Sequence, residues 1–167
     1  MYRVSMKHKI YKKFLAPNLF EKLKHIIMGH DFPWRRRDQT TGSCIMYFTY
    51  CFYNHMNCQS ELYQPYIVPI LKKLEAEAPL IVRANMFVSA LFKESSWHCD
   101  FSFKCKTAIL YLNDCDGGTE LIINKKPIFI KAVANQMLVF DTGIKHRALT
   151  SEKEPIRYII NFNYFTK

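Results

Sequence analysis

The stretch Trp97-His98-Cys99-Asp100 carries a histidine and an aspartate two positions apart. In an extended segment, side chains two apart point to the same side, so both can bind one metal ion. His146, further along the chain, is a candidate third ligand. Two imidazoles and one carboxylate form the facial triad that suits non-haem Fe(II) and leave the opposite coordination positions open. We therefore predict a metal site formed by His98, Asp100 and His146.

The composition is that of one folded domain. The chain has 167 residues, of which 49% are hydrophobic and 15% aromatic, enough for a buried core. There is no apolar run of about 18 residues, and the basic segment from Met1 to Lys13 lacks the apolar centre of a signal peptide. We therefore expect no transmembrane helix. The six cysteines show no C-x-x-C pair and no zinc-finger spacing, which favours free thiols in a reducing cytoplasm.

The chain is strongly basic, with a formal net charge of +10. Such a balance favours acidic partners such as nucleic acid, an acidic protein face or an anionic co-substrate. Basic residues cluster at Lys7 to Lys13 and at Arg35-Arg36-Arg37. The alternative is that scattered lysines only keep a small protein soluble, so nucleic acid stays one candidate partner among several.

Two helices are predicted in the N-terminal part. Apolar residues recur at helical spacing over about residues 18–28 and again from Glu61 to Ala78. Pro65 and Pro69 lie inside the second pattern, so that helix either begins at Pro65 or kinks near Pro69. The segment from Arg35 to Ser43, by contrast, is expected to be an exposed loop.

From Leu80 onward the pattern changes to short strands broken by turns, which predicts a β-sandwich or jelly roll. We predict a single domain over residues 1–167, with helical support over about 1–78 and a β core over about 80–165. Two N-terminal helices should cover one face. Strands are predicted at residues 44–54, 80–88, 107–112, 119–123, 127–130, 136–140 and 157–164.

The order of the motifs resembles a known family. The run is His98-Cys-Asp100, Thr107-Ala-Ile-Leu-Tyr-Leu-Asn113, Asp116-Gly-Gly-Thr-Glu-Leu121, Asn135-Gln-Met-Leu-Val-Phe-Asp141, His146 and Arg157-Tyr-Ile-Ile-Asn161. It resembles the Fe(II)/2-oxoglutarate-dependent oxygenases, and most closely their prolyl-hydroxylase-like branch. With Phe32-Pro33-Trp34 it is similar to small bacteriophage-encoded members. The resemblance covers residues 80–165 well and the N-terminal third weakly. It implies a double-stranded β-helix of the cupin type and, for a viral protein, the host cytoplasm.

The resemblance implies a role for each of the motif residues. His98, Asp100 and His146 would bind Fe(II) and form the catalytic centre, and Arg157 would bind the distal carboxylate of 2-oxoglutarate. Arginine suits that role because its planar fork meets a carboxylate with two parallel hydrogen bonds. Arg147 is the alternative anion-binding residue, but it is expected in a turn, whereas Arg157 lies in an apolar strand. Ascorbate is expected as a stimulant.

Three further residues are candidate contacts to 2-oxoglutarate. Asn85 lies near the end of the strand before the metal motif, where related enzymes often have a polar co-substrate contact. Thr107 or Tyr111 would add a hydroxyl group. All three assignments depend on strand register, because a shift of one residue turns a side chain to the other face.

The implied activity is hydroxylation of a substrate C–H bond, coupled to conversion of 2-oxoglutarate to succinate and carbon dioxide. The resemblance favours a peptidyl substrate such as proline. A nucleic-acid-modifying oxygenase is the alternative that the charge suggests, although nucleic-acid demethylases usually carry a second arginine in the last strand, which residues 157–164 lack. A non-catalytic binding module on the same fold is a third interpretation, against which the intact triad argues. A zinc-containing cupin-like protein would have no use for Arg157.

Overall fold

Two facing antiparallel sheets dominate the computed structural model, which describes residues 8–39 and 45–167. The strands in these ranges are β1 (His8–Tyr11), β2 (Arg35–Gln39), β3 (Ile45–Asn54), β4 (Asn57–Cys58), β5 (Ala78–Val88), β6 (Lys106–Tyr111), β7 (Gly118–Ile123), β8 (Lys126–Lys131), β9 (Met137–Asp141), β10 (His146–Leu149) and β11 (Ile156–Phe165). The helical elements are α1 (Pro17–Ile27), a π-helical turn (Tyr63–Ile67) and α2 (Val68–Lys73).

The strands form one large and one small sheet. The major sheet has the order β1-β9-β6-β11-β5-β3-β2, with β4 paired to β3, and the minor sheet has the order β10-β7-β8. Isolated antiparallel bridges join Glu94 to Leu149 and His98 to His146. Residues 94–98 therefore extend the minor sheet beyond β10. This arrangement is a jelly roll, and the predicted fold class is confirmed.

The helices cover the outer face of the major sheet, as predicted. Even-numbered residues of the central strands point outward because side chains alternate along a strand. They pack against the apolar faces of α1, the π-helical turn and α2 in one buried cluster. Its members include Phe20, Leu23 and Ile27 of α1, Ile67, Ile70 and Leu71 of the second helical region, and Val82, Ala84, Ala108, Leu110, Ile160 and Phe162 of the sheet.

Odd-numbered residues of the same strands face the minor sheet. Ile109, Tyr111 and Ile159 pack there against Leu121 and Ile130 of the minor sheet, forming a second buried cluster. This inner core fills only part of the space between the sheets. The remaining space lies beside the predicted metal ligands and is described below.

The prediction of a helix from Glu61 to Ala78 is wrong in length and regularity. The chain forms a π-helical turn at Tyr63–Ile67 and an α-helix of only six residues, Val68–Lys73. Pro65 and Pro69 lack the backbone N–H that a continuous α-helix would use, which accounts for the irregular first turn. Glu75 then adopts a left-handed conformation, with φ 56°, and the chain enters β5 at Ala78.

The expected loop from Arg35 to Ser43 is wrong for its first five residues. Arg35–Gln39 forms β2, which pairs with β3 along its whole length. Charged residues are frequent on edge strands because they discourage pairing with other chains, so the charge run was misleading. Sequence reasoning also missed the short strands β1, β4 and β10. Residues 40–44 and the basic stretch before His8 lie outside the described residues.

Five of the six cysteines lie within the described residues. Cys51, Cys58, Cys99, Cys105 and Cys115 are free thiols, and Cys44 lies outside the described ranges. Among the helices of the described part, none has the length and apolar character needed to cross a bilayer.

Candidate metal centre

The three predicted ligands converge on one point. One potential ligand atom from each of His98, Asp100 and His146 lies within 4.8 Å of the other two. Asp100 Oδ1 is 3.7 Å from His98 Nε2 and 3.4 Å from His146 Nε2. The backbone brings them together because the two histidines pair across the minor sheet, with His98 N–H and His146 N–H each donating to the other's carbonyl. The spacing of two then turns Asp100 to the same side.

Hydrogen bonds fix the orientation of both imidazoles. His98 Nδ1 lies 2.8 Å from the Ser96 carbonyl oxygen, and His146 Nδ1 lies 3.2 Å from the Ile144 carbonyl oxygen. A carbonyl accepts, so each Nδ1 carries the proton and each Nε2 presents a lone pair to the shared point. This tautomer is the one that metal binding through Nε2 requires.

The second oxygen of Asp100 is held by two buried side chains. Asn163 Nδ2 donates to Asp100 Oδ2 at 2.7 Å, and Thr107 Oγ1 donates to the same oxygen at 3.1 Å. Thr107 also lies 3.0 Å from Thr142 Oγ1, and Asn161 donates to Asn163 Oδ1 at 3.2 Å. This network leaves Oδ1 to face the two imidazoles.

The electrostatics favour the forms of the ligands that bind metals. Burial alone would raise the pKa of Asp100, but its contacts with His146 and Asn163 hold that pKa well below the usual range. Burial and the neighbouring His146 lower the pKa of His98, against the opposing effects of Ser96 and Asp100. A carboxylate and a neutral imidazole are the species that coordinate cations, so little proton release accompanies metal binding at these two ligands.

Arg157 lies on the floor of the same cavity and is fully buried, with 0% of its surface exposed. Its guanidinium carbon is 4.7 Å from the centre of the Phe87 ring, yet none of its three side-chain nitrogens has a hydrogen-bond partner in the described part of the chain. Burial lowers the pKa of Arg157, opposed by Tyr111 and Cys115. A buried cation without partners is costly, which indicates that an anion belongs beside it.

Arg147, the alternative anion-binding residue, is already paired. It lies in β10 and not in an exposed turn, so the expected turn at this position is wrong. Its guanidinium makes ion pairs with Glu94 and Glu120, both at 2.7 Å, and stacks on Trp97 at 4.6 Å. These contacts leave it little capacity to bind a further carboxylate.

The three other candidate co-substrate contacts have different surroundings. Tyr111 is fully buried and donates to Thr119 Oγ1 at 2.9 Å, and burial raises the pKa of Tyr111 to about 12. Asn85 lines the cavity and accepts a hydrogen bond from Thr49 at 3.0 Å. Thr107, however, donates to Asp100, as described above.

Asn163 was missed by sequence reasoning. The signal was present, since Arg157, Asn161 and Asn163 share one face of β11 by the period of two. The cavity that Arg157 and Asn161 line has a volume of about 470 Å³, large enough for a small dicarboxylate and part of a substrate.

Comparisons with known proteins agree on the fold. No family model matches the chain, and no curated protein matches it. Among solved structures, a Pseudomonas putida prolyl-4-hydroxylase matches with a TM-score of 0.71 at 14% identity, covering 96% of this chain and 93% of that one. The fold is that of the 2-oxoglutarate- and Fe(II)-dependent oxygenases.

Two further structures support the same conclusion. A Burkholderia pseudomallei oxidoreductase of the 2-oxoglutarate-Fe(II) oxygenase family has a TM-score of 0.75 at 8% identity, over 96% of this chain and 86% of that one. A Trichoplax adhaerens prolyl hydroxylase, solved with a peptide of hypoxia inducible factor, has a TM-score of 0.70 at 14% identity. The match covers 95% of this chain and 83% of that one. The double-stranded β-helix predicted from the sequence is therefore confirmed.

Proposed function

We propose that this protein is an Fe(II)- and 2-oxoglutarate-dependent dioxygenase that hydroxylates a C–H bond of a peptidyl residue such as proline. One observation carries the proposal. The cavity that is bordered by two imidazoles and a carboxylate also contains a fully buried arginine without hydrogen-bond partners in the described ranges. The first feature suits a divalent transition metal with open coordination positions, and the second suits a small anion bound beside that metal.

The residues present fit an iron ion. His98 and His146 would bind it through Nε2 and Asp100 through Oδ1, because the other atoms of these side chains already make hydrogen bonds. A mixed nitrogen and oxygen donor set on one side suits Fe(II), with Mn(II) or Co(II) as substitutes. Thr107 and Asn163 would keep the carboxylate in its orientation through Oδ2.

The residues also fit 2-oxoglutarate. Arg157 would pair with its distal carboxylate at a fully buried position, where a charge-assisted bidentate contact is strongest. The hydroxyl groups of Tyr111 and Thr119 lie in the same buried region and are proposed as additional contacts, as is Asn85. Thr107 is proposed to hold Asp100 in position and is not proposed as a contact to the co-substrate.

When bound, iron and 2-oxoglutarate would supply the oxidising power that inserts one oxygen atom of O₂ into a C–H bond, with succinate and carbon dioxide as coproducts. The protein's own part is positioning. Histidine and aspartate ligands confined to one side keep the other side free for the co-substrate and oxygen. The apolar cluster that includes Phe87, whose ring contacts Arg157, would shield the carboxylate partner from water.

Two solved neighbours named as prolyl hydroxylases support the prolyl-hydroxylase-like branch and a peptide substrate. A nucleic-acid-modifying oxygenase is favoured only by the net charge of +10. A non-catalytic module would have no reason to retain both the triad and the buried arginine. The similarity to bacteriophage-encoded members and the stimulation by ascorbate stay predictions from the sequence.

The test combines metal binding with turnover. The parent should bind about one Mn(II) ion per chain. With Fe(II), 2-oxoglutarate and oxygen it should release succinate faster in the presence of a proline-containing peptide pool than of a nucleic-acid pool. His98→Ala, Asp100→Ala and His146→Ala should each lose metal binding while keeping the far-ultraviolet circular dichroism of the parent.

Matched controls separate the triad from general effects of substitution. Asp141→Ala removes a carboxylate whose partner is Lys106 on the sheet surface, and His55→Ala removes a histidine that packs on Phe101. Both variants should bind Mn(II) like the parent. Triad variants that bind Mn(II) as tightly as these controls would show that the metal assignment is wrong.

A further inference from the structure

The wall of the cavity carries more positive charge than the proposed function uses. Four arginines line it: Arg37, Arg83, Arg147 and Arg157. Arg147 is paired with two glutamates, and Arg157 is assigned to the co-substrate. A divalent metal ion and the doubly negative 2-oxoglutarate would cancel each other, as would Asp100 and Arg157. Arg37 and Arg83 make no ion pair with any carboxylate whose side chain the structure describes, so the charges of these two residues are without a partner there.

Arg83 lies too far from Arg157 to share its ligand. In β5 it is opposite Asn161, whereas Arg157 is opposite Phe87. These rows are four strand positions apart, or about 13 Å along the sheet. Asn161 is, however, only two positions from Asn163, which contacts Asp100. Arg83 is therefore on the metal side of the cavity, where a substrate would lie.

Arg37 lies at the opposite border of the cavity. It is in β2 and is opposite Tyr47, whose ring is 5.5 Å from that of Phe87. Three strand spacings, about 14 Å, separate β2 from β11, so the rings of Tyr47 and Phe87 stand between Arg37 and Arg157. Arg37 is also exposed, and it faces the mouth of the cavity rather than its floor.

The edge position of β2 favours a peptide as the molecule whose carboxylates pair with Arg37 and Arg83. Along the outer edge of β2 no strand of the described residues is paired, so its backbone groups are available to an extended chain. Arg35 and Arg37 are two positions apart and point to the same side. Carboxylates on alternate residues of an extended peptide would meet this spacing, and the guanidinium fork would bind each with paired hydrogen bonds.

We propose that Arg37 and Arg83 select a substrate peptide that carries acidic side chains along the stretch leading from the oxidised residue to the mouth of the cavity. The inference rests on the proposed function and specifies its substrate class. Arg83 would bind a carboxylate near the metal, and Arg37 one at the mouth of the cavity. Both are specificity-determining residues that act on the substrate and leave the co-substrate site unchanged.

The test measures binding without turnover. The protein is loaded with Mn(II) and 2-oxoglutarate in the absence of oxygen, and fluorescence anisotropy is recorded with labelled peptides of alternating glutamate and proline, serine and proline, or lysine and proline. A labelled single-stranded oligothymidylate is the fourth probe. The glutamate peptide should bind about 10-fold tighter than the serine peptide or more, since each charge-assisted contact contributes at least that factor.

The variants assign this preference to the two arginines. Arg37→Ala and Arg83→Ala should each weaken binding of the glutamate peptide about 10-fold, and Arg83→Lys should weaken it less. Arg36→Ala is the matched control, because Arg36 lies between Arg35 and Arg37 in the same strand and points to the other face. It should bind the peptide like the parent. If Arg83→Ala unfolds, Arg83→Gln replaces it, because glutamine keeps the first part of the side chain and removes the charge.

The other outcomes are decisive as well. Equal binding of the glutamate and serine peptides, or unchanged binding in both arginine variants, overturns the inference. Binding of oligothymidylate that needs Arg37 and Arg83, with none of the glutamate peptide, overturns it in favour of nucleic acid. The thermal shift with 2-oxoglutarate is recorded in parallel. If that shift is present and peptide selectivity is absent, only this inference fails; if the shift is absent, the proposed function fails.

Discussion

Replacing Arg157 with methionine should stabilise the ligand-free protein and abolish its response to 2-oxoglutarate. The guanidinium is fully buried, and its three nitrogens lack hydrogen-bond partners in the described structure. The contact with the Phe87 ring offsets only part of that cost, because cation–π contacts contribute about 2 kcal/mol when desolvated. Methionine fills similar space without a charge. Apolar replacement of buried charged groups stabilises proteins by about 1–4 kcal/mol, and we expect a gain in that range.

The same substitution should lower the stabilisation that 2-oxoglutarate gives, although it raises the stability of the ligand-free protein. At a ligand concentration about 100 times its Kd, the parent should gain about 2.7 kcal/mol of stability. For a chain of this length that corresponds to a rise in Tm of about 5–10 °C. Loss of the charge-assisted pair should weaken binding by about 2–5 kcal/mol, or 30- to 5,000-fold. The same concentration should then shift the Tm of Arg157→Met by about 3 °C at most.

Thermal denaturation followed by circular dichroism, at fixed Mn(II) and with or without 2-oxoglutarate, measures both effects. Arg157→Lys should respond between the parent and Arg157→Met, because an ammonium group cannot make two parallel hydrogen bonds. Arg147→Ala is the comparison variant: its guanidinium is held by two glutamates, so its 2-oxoglutarate shift should persist even if its baseline Tm falls. A full shift in Arg157→Met, or its loss in Arg147→Ala alone, would refute the assignment of the anion site.

Two further substitutions test the surroundings of the site and the packing of the sheets. Thr107→Val removes a hydrogen bond to Asp100 with little change of shape, and its Mn(II) affinity measured by calorimetry should fall about 10- to 100-fold. The control is Thr49→Val, since Thr49 has no contact with Asp100, and it should bind Mn(II) like the parent. Equal Mn(II) affinities of the two variants would exclude the role of Thr107. Gly118→Ala would bring a Cβ atom to 2.1 Å from the Ile130 carbonyl oxygen, so urea denaturation should show a loss of about 1–3 kcal/mol. Gly143→Ala, with nothing within 4 Å of its Cβ, should change stability by less than about 0.5 kcal/mol, and a similar loss in both variants would contradict the close approach of β7 and β8.

The strands of the β core were predictable because apolar residues there decide both pairing and burial. The two errors in the N-terminal part have a common cause. Arg35–Gln39 forms a strand although its residues are charged, because an edge strand gains its stability from pairing with β3 and not from burial of its own side chains. Glu61 to Ala78 has a helical pattern, but the missing N–H groups of Pro65 and Pro69 limit the α-helix to Val68–Lys73. Pairing partners and backbone donors are not visible in hydrophobic periodicity.

The convergence of His98, Asp100 and His146 was predictable, since few residue types bind Fe(II) and two of the three lie two positions apart. Thr107, in contrast, could not be assigned from the sequence, because the strand register decides which face of β6 carries its hydroxyl group and so whether that group meets Asp100.

In strand β11, the orientation of the Arg157 side chain determines that of Asn161 and Asn163. If Arg157 faces the minor sheet, the period of two requires that Asn161 and Asn163 face it as well, while Ile160 and Phe162 pack under the helices. Apolar side chains at those inner positions would pack better against the minor sheet, so an arginine and two asparagines on the core side of a central strand weaken the fold locally. The cost is offset only where each polar group has a partner. Asn163 has Asp100, Asn161 has Asn163, and Arg157 has none in the described chain. We therefore expect an added anion to stabilise the protein most at Arg157, the member of this row without a partner in the described chain.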